Sequence, residues 1–171
     1  MYILDFIAYD WEEKNKDLET NIREILEANK KLDRLNWGAL RAFARTVDAK
    51  SSWTAGHSER VTTLALKTGT ALGMSQEDLD DLYRAGLLHD IGKIGVAQEI
   101  LDKPGRLTKE EYMIMCEHPA KGASILEPIE DYAPIIPLIR QHHEWFNGEG
   151  YPYGLKGEEI TVGGRILAVV A

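Results

Sequence analysis

The sequence predicts an all-α fold, a helical bundle led by one extended N-terminal helix. Three observations carry this. Apolar residues recur every three or four positions along most of the chain, no stretch alternates apolar and polar residues as a half-buried strand does, and glycine and proline cut the chain into helix-sized pieces. With 171 residues, 44% hydrophobic and 28% charged, the chain is long enough to bury a core unaided. We expect residues 1–41 to form an N-terminal segment and a signalling or dimerisation helix, and residues 42–171 to form the main domain.

The opening MYILDFIAYDW is too short to span a bilayer and is interrupted by Asp5 and Asp10. It lacks the pattern of a signal peptide and reads as the cut end of a preceding segment. From Lys16 to about Leu40 the pattern is helical: Leu18, Ile22, Ile25, Asn29, Leu32 and Asn36 step by 4, 3, 4, 3 and 4. That is a heptad seam, flanked by the favourable pairs Glu19 to Arg23 and Glu27 to Lys31. Asparagine repeated at one seam position fixes register and a two-stranded state. An amphipathic helix packed on its own domain is the other reading. A parallel homodimer stalk, relaying a signal from an upstream sensor domain, is the preferred one.

In the main domain, HSERVTTLALKTGTALG places Val61, Ala65, Thr68 and Leu72 on one face and stops at Gly73. Ser75 and Asp78 form a box-like start for a helix ending at His89 and Asp90. Thr108 and Glu111 open another, expected to run to His118 just before Pro119. PIIPLIRQHHEWF reads as a short helix whose first proline suits the N-terminal position. NGEGYPYGLKGEEI, rich in glycine and proline, is a loop long enough to suggest a function, and VGGRILAVVA is an apolar helix.

The net charge of −8 argues against a nucleic-acid polymer as partner, because such binding depends on Lys and Arg neutralising phosphates. A small phosphate ligand remains compatible with it where bound metal ions reverse the local field. The single cysteine, Cys116, excludes an internal disulfide framework and fits a reducing, cytoplasmic compartment. Its apolar-periodic setting predicts a buried structural thiol.

The chemistry is concentrated in five histidines, His57, His89, His118, His142 and His143. His57 leads into Val61 and Ala65, His89 follows Leu79, Leu82 and Gly86, and His142 follows Ile135, Leu138 and Ile139. Such spacing puts an imidazole on the inner face of three separate helices. The doublets His89-Asp90 and His142-His143 can offer ligands on two sides, since neighbouring helix residues diverge by about 100°. Imidazole and carboxylate without thiolate suit Fe, Mn, Zn or Ni rather than a structural zinc. Lys93, three residues after Asp90, can return to the same place beyond Gly92 and stabilise charge on a phosphate.

HSERV, LLHDIGKIGV, HPAKGASIL and HHEWFNGEGYPYGLKGEEI together resemble the HD-GYP domain, a subgroup of the HD metal-dependent phosphohydrolases that degrades cyclic di-GMP in bacteria. The resemblance covers residue 42 to the last. It implies a two-metal site, with iron or manganese, in which His57, His89 and Asp90 hold one ion and Asp90 bridges to a second held by His118, His142 and His143. It implies that Lys93 contacts the scissile phosphate, that Gly148, Gly150, Tyr151 and Pro152 belong to a loop contacting substrate or a protein partner, and that the product is pGpG or GMP. The sequence departs from the pattern in three places. Trp53 replaces a glutamate that recruits a third metal in some members, and Asn147 replaces an aspartate. Ala171 falls where a further metal-binding aspartate is expected, so that aspartate is either absent or lies just past it with a one-residue shift, and with the family's closing helices also missing the domain reads as C-terminally truncated. Two other readings keep the fold: a catalytically silent module that binds cyclic di-GMP or a partner, and a hydrolase of another nucleotide such as (p)ppGpp.

Overall fold

The computed structural model describes residues 2–51 and 56–171, which places Trp53 outside the described residues. Every element among the described residues is helical. The chain divides into two compact units, Met1–Ala39 and Leu40–Ala171.

Helix α1, Tyr2–Asp48, is longer at both ends than the expected Lys16–Leu40. The opening residues are helical because nothing before Asp48 breaks the ladder: there is no proline, and the one glycine is Gly38. In the first unit the seam residues Leu18, Ile22, Ile25 and Leu32 are all exposed. Among the described residues no helix is long and apolar enough to cross a membrane.

The second unit starts with the end of α1, where Leu40, Ala44 and Val47 are buried. It continues through α2 (His57–Ala71), α3 (Gln76–Leu88), a 3₁₀ turn (Ile91–Gly95) and α4 (Gln98–Leu101), then α5 (Lys109–Cys116) and α6 (His118–Leu126). A second 3₁₀ turn (Glu130–Ile135), α7 (Ile136–Gln141), a third 3₁₀ turn (Gly157–Glu159) and α8 (Val162–Val170) complete it. Helix α2 packs on α3 and α8, α6 on the first 3₁₀ turn and α7, and α7 on α8. Leu82, Leu88, Ile135, Ile139, Ile160 and Leu167 fill the core between them.

Local chemistry sets the boundaries. Ser75 caps α3 by accepting from the Asp78 N–H, and Thr108 with Glu111 forms a full capping box on α5. Helix α5 ends at Cys116 rather than at His118. Pro119 sits in the first turn of α6, where its missing N–H costs nothing, so His118 opens a new helix instead of closing the old one. Pro134 lies inside the second 3₁₀ turn, and it is Pro137 that takes the N-terminal position of α7; that helix stops at Gln141, leaving His143, Glu144 and Trp145 outside it. On α2 the buried face is Ser58, Val61, Thr62, Ala65 and Gly69, while Thr68 and Leu72 are exposed. The bare Cα of Gly69 faces the Leu79, Leu82 and Met74 side chains, so the inner stripe runs through a glycine that a hydrophobicity pattern does not register. Cys116 is half-buried rather than buried, because α5 covers the domain's edge and has no buried residue.

Candidate metal centre

Four elements bring the histidines together. His57 is the first residue of α2, whose N-cap Gly56 offers no side-chain hydrogen bond. The Asp48 carboxylate, from the end of α1, supplies one instead, accepting from the Ser58 N–H at 3.2 Å and Oγ at 2.7 Å. His89 is the C-cap of α3, His142 the C-cap of α7, and His118 the first residue of α6. His89, Asp90, His118 and His142 are all 1–2% exposed.

The first 3₁₀ turn reaches α6 because of Gly92. A Cβ there would lie 1.9 Å from the His118 carbonyl oxygen and 2.5 Å from the Gly122 nitrogen, so only glycine allows the two backbones to touch. That contact sets Asp90 against His118.

Two groups form from these residues, His57–His89–Asp90 and His118–His142–His143, each with its ligand atoms within 4.8 Å of one another. Asp90 faces both. Its Oδ2 lies 3.3 Å from His89 Nε2 and 3.7 Å from His57 Nε2, and its Oδ1 lies 3.3 Å from His118 Nε2 and 3.9 Å from His142 Nε2. Lys93 Nζ closes the first group at 2.7 Å from Oδ2.

The tautomers follow from the backbone. His89 Nδ1 is 2.8 Å from the Gly86 carbonyl, His118 Nδ1 is 2.8 Å from that of Met115, and His142 Nδ1 is 2.6 Å from that of Ile139. A carbonyl only accepts, so each Nδ1 carries the proton and each Nε2 turns a lone pair inward. His57 and His89 then oppose Nε2 to Nε2 at 3.3 Å, and His118 and His142 do so at 3.1 Å. Asp90 Oδ1 is buried with no hydrogen-bond donor. A buried carboxylate oxygen ringed by imidazole lone pairs is destabilising as protein alone, and a cation resolves it. The residues present therefore fit divalent metal ions, with the Gly86, Met115 and Ile139 carbonyls fixing the orientation of three of the imidazoles.

The electrostatics agree. Burial, reinforced by the neighbouring imidazoles, holds His142 well below the usual histidine range and brings His143 to about 3. Burial opposes charge on Asp90 too, but His89, His118 and Lys93 outweigh it and keep the carboxyl ionised far below its ordinary value. The exception is His89, raised because Asp90 outweighs its burial. The sign of the pH effect follows from His142 and His143. They are neutral when folded but protonate near 6.5 when unfolded, so the unfolded chain binds more protons in that interval and stability rises with pH across it. Protein stripped of metal by a chelator is expected to melt several degrees lower at pH 4 than at pH 6.5 in a calorimetric scan. His89, whose contribution is lost only above 6.5, leaves that acid limb intact.

The loop beyond α7 folds back over the site. The Tyr151 N–H donates to the His143 carbonyl at 3.0 Å, and the Tyr151 ring stacks on that of His143 at 4.7 Å. A Cβ on Gly150 would lie 2.3 Å from the Trp145 nitrogen, so this return needs glycine. Gly148, with φ +83°, turns the loop, and the Tyr151–Pro152 peptide is cis. Asn147 is exposed and hydrogen-bonds to Glu149 within its own turn. The anchor of the loop is Glu144, 1% exposed, whose two oxygens accept from the Tyr153 N–H at 2.7 Å and the Leu155 N–H at 2.9 Å. Replacing it by glutamine turns one acceptor into a donor facing an N–H, a loss of about 1–3 kcal/mol. Glu144→Gln is expected to speed amide exchange at Tyr153 and Leu155 while leaving α3 unchanged.

All six sequence-predicted ligands and Lys93 thus converge. Ala171, the last residue, is exposed and follows α8. Sequence reasoning missed Asp48 and Glu144. Glu144 stands beside the histidine doublet, and its place before a glycine-rich loop was the available signal. A cavity of about 160 Å³ opens beside Asp90 and Lys93, with Val47, Asp48 and Ser51 on its other wall.

Comparison with known proteins gives a consistent result. A family model described as HD domain matches residues 41–171. A 3'3'-cGAMP-specific phosphodiesterase of Vibrio cholerae is 44% identical over 126 residues, covering 74% of this chain and 27% of that protein. A cyclic di-GMP phosphodiesterase of Thermotoga maritima is 44% identical over 117 residues, 66% of this chain and 31% of its own length. Another cyclic di-GMP phosphodiesterase, from Pseudomonas aeruginosa, is 35% identical over 152 residues, 85% of this chain and 37% of its own length. The chain thus spans 27% to 37% of the length of these relatives.

Proposed function

We propose, from the premise that this chain belongs to the HD-domain family and is of the HD-GYP type, that it hydrolyses cyclic di-GMP to pGpG or GMP. The observation that carries this is Asp90, with one oxygen toward each histidine group and Lys93 beside it. Two divalent ions, iron or manganese as the resemblance to the HD-GYP domain implies, would be held by His57, His89 and Asp90 on one side and Asp90, His118, His142 and His143 on the other, a ligand set that suits such ions. Bound there, they supply an activated water and stabilise charge on the phosphoryl group. The protein's own contributions are distinct. Inward Nε2 lone pairs hold the ions, the Asp90 carboxylate offsets their charge, and Lys93 Nζ offers its remaining protons to a non-bridging phosphate oxygen in the cavity beside it. The Gly148–Pro152 loop, pinned by Glu144, borders this site and gives substrate or a protein partner a surface to contact.

A second reading concerns the substrate. A relative that shares 44% identity is named for 3'3'-cGAMP, a cyclic dinucleotide with the same phosphodiester chemistry. Metal-loaded protein, prepared anaerobically, should be offered cyclic di-GMP, 3'3'-cGAMP and ppGpp in parallel and the nucleotides resolved by chromatography. Linear dinucleotide from cyclic di-GMP at the highest kcat/KM supports the proposal. Preference for 3'3'-cGAMP moves the substrate to the second reading. Turnover of ppGpp alone, or of none, overturns it in favour of a different hydrolase or a silent binding module.

The N-terminal helix fits a parallel homodimer in which a second copy covers Leu18, Ile22, Ile25 and Leu32, with Asn29 and Asn36 setting register. An upstream sensor would act through this stalk in the cytoplasm. Ile25→Lys places a charge in the seam and is expected to weaken dimerisation about a hundredfold or more, read by sedimentation velocity.

A further inference from the structure

Lys50 stands two residues beyond the end of α1 and its side chain does not reach solvent freely. Its Nζ donates to three backbone carbonyls of the first 3₁₀ turn and its exit: Lys93 at 3.0 Å, Ile94 at 2.6 Å and Val96 at 2.6 Å. An ammonium has three protons, and here each finds one oxygen of the segment that carries Lys93. We propose that Lys50 is a positioning residue for Lys93, fixing the backbone from which that lysine reaches Asp90 and the phosphate.

The segment needs such a tie. It is bracketed by Gly92 and Gly95, the Ile94 side chain is exposed, and a Cβ on Gly95 would meet only the Lys121 side chain at 3.6 Å. Apart from Val96, packing gives Lys93–Gly95 little to rest on, and the helical hydrogen bonds are short-range: Lys93 N–H to Asp90 at 2.9 Å and Val96 N–H to Lys93 at 3.0 Å. Three carbonyls converging on one cation form a stronger constraint, because charge-assisted hydrogen bonds are about twice as strong as neutral ones. Lys50 is itself anchored. Its N–H donates to the Val47 carbonyl at 3.0 Å, Gln98 Nε2 donates to the Lys50 carbonyl, and neighbouring Ser51 Oγ donates to Asp102 at 2.7 Å. The end of α1, Lys50 and the Lys93 turn therefore form one hydrogen-bonded unit.

The catalytic half of this inference rests on the phosphodiesterase reading, and the experiment separates the two. Kinetics with cyclic di-GMP compare wild type, Lys50→Met, Lys50→Arg, Lys93→Met and the double variant Lys50→Met/Lys93→Met. Lys50→Met is expected to lower kcat about tenfold with KM and metal content unchanged, as for an interaction acting only through transition-state contacts. Lys50→Arg, with donors to spare, restores most of it. In the Lys93→Met background the Lys50→Met change should cost less than about twofold, because residues acting as a unit are not additive. An equal cost in both backgrounds, or an unchanged kcat, overturns the proposal. Amide exchange gives a readout independent of turnover. Lys93 and Val96 should exchange about tenfold or more faster in Lys50→Met, and in the milder Lys50→Gln, with Leu82 and Leu88 unaffected. If wild type hydrolyses no cyclic dinucleotide, the phosphodiesterase reading falls and exchange alone decides the positioning role; unchanged exchange at Lys93 and Val96 overturns that too.

Discussion

Asp90→Asn protein is expected to fold, to lose both bound metals, and to fall in kcat/KM by about a thousandfold or more. The variant keeps the shape of the side chain and removes its charge. Oδ2 faces His57, His89 and Lys93, and Oδ1 faces His118 and His142, so Asp90 presents one oxygen to each histidine group. Metal-ion charge stabilisation is worth several kcal/mol in phosphoryl transfer, and about 1.4 kcal/mol is tenfold in rate. His142→Ala, by contrast, removes a ligand from one group and should leave the other ion bound. If Asp90→Asn kept its metals and its rate, the assignment of Asp90 as the shared ligand would be wrong.

The second large effect is expected from one methyl group. Gly92→Ala drives a Cβ to within 1.9 Å of the His118 carbonyl oxygen, a backbone atom held in place by α6. Neither backbone can yield without separating the 3₁₀ turn from α6, so the cost should reach or exceed about 3 kcal/mol. The same shift parts Asp90 from His118, so metal affinity should fall with stability. Gly95→Ala, three residues on, meets only a flexible lysine stem at 3.6 Å and is expected to change stability by less than about 1 kcal/mol. Denaturant titration of the two variants reads the difference directly. Similar midpoints for both would show that the close approach at Gly92 is not what holds the turn.

The fold class and the cluster were both legible in the sequence, for one physical reason. Helical periodicity places His89 after Leu82 and Gly86, and His142 after Ile135 and Ile139, so the inner faces lead to the same centre. Boundaries were less legible where a residue's role depends on its neighbours. Pro119 and Pro137 start helices, whereas Pro134 sits within a 3₁₀ turn, and nothing local to each proline distinguishes them. Thr68 was expected on the inner face of α2, and Gly69 holds that place, because close packing against Leu79 and Leu82 selects a residue without a side chain. The contacts of Asp48 with Ser58, Lys50 with the Lys93 turn, and Glu144 with Tyr153 and Leu155 join residues 9 to 46 positions apart. Buried polar contacts of that kind carry no periodic signature. Only the folded backbone shows that each ties down a segment bearing a site residue.

We propose that a pair of metal ions shares Asp90. The most direct test is metal content: wild type and Asp90→Asn loaded anaerobically with Fe(II) or Mn(II), freed of excess by gel filtration, and measured by mass spectrometry alongside protein concentration. Two ions per wild-type chain and none in the variant are expected. One ion in wild type, or any ion retained by Asp90→Asn, would contradict the proposal.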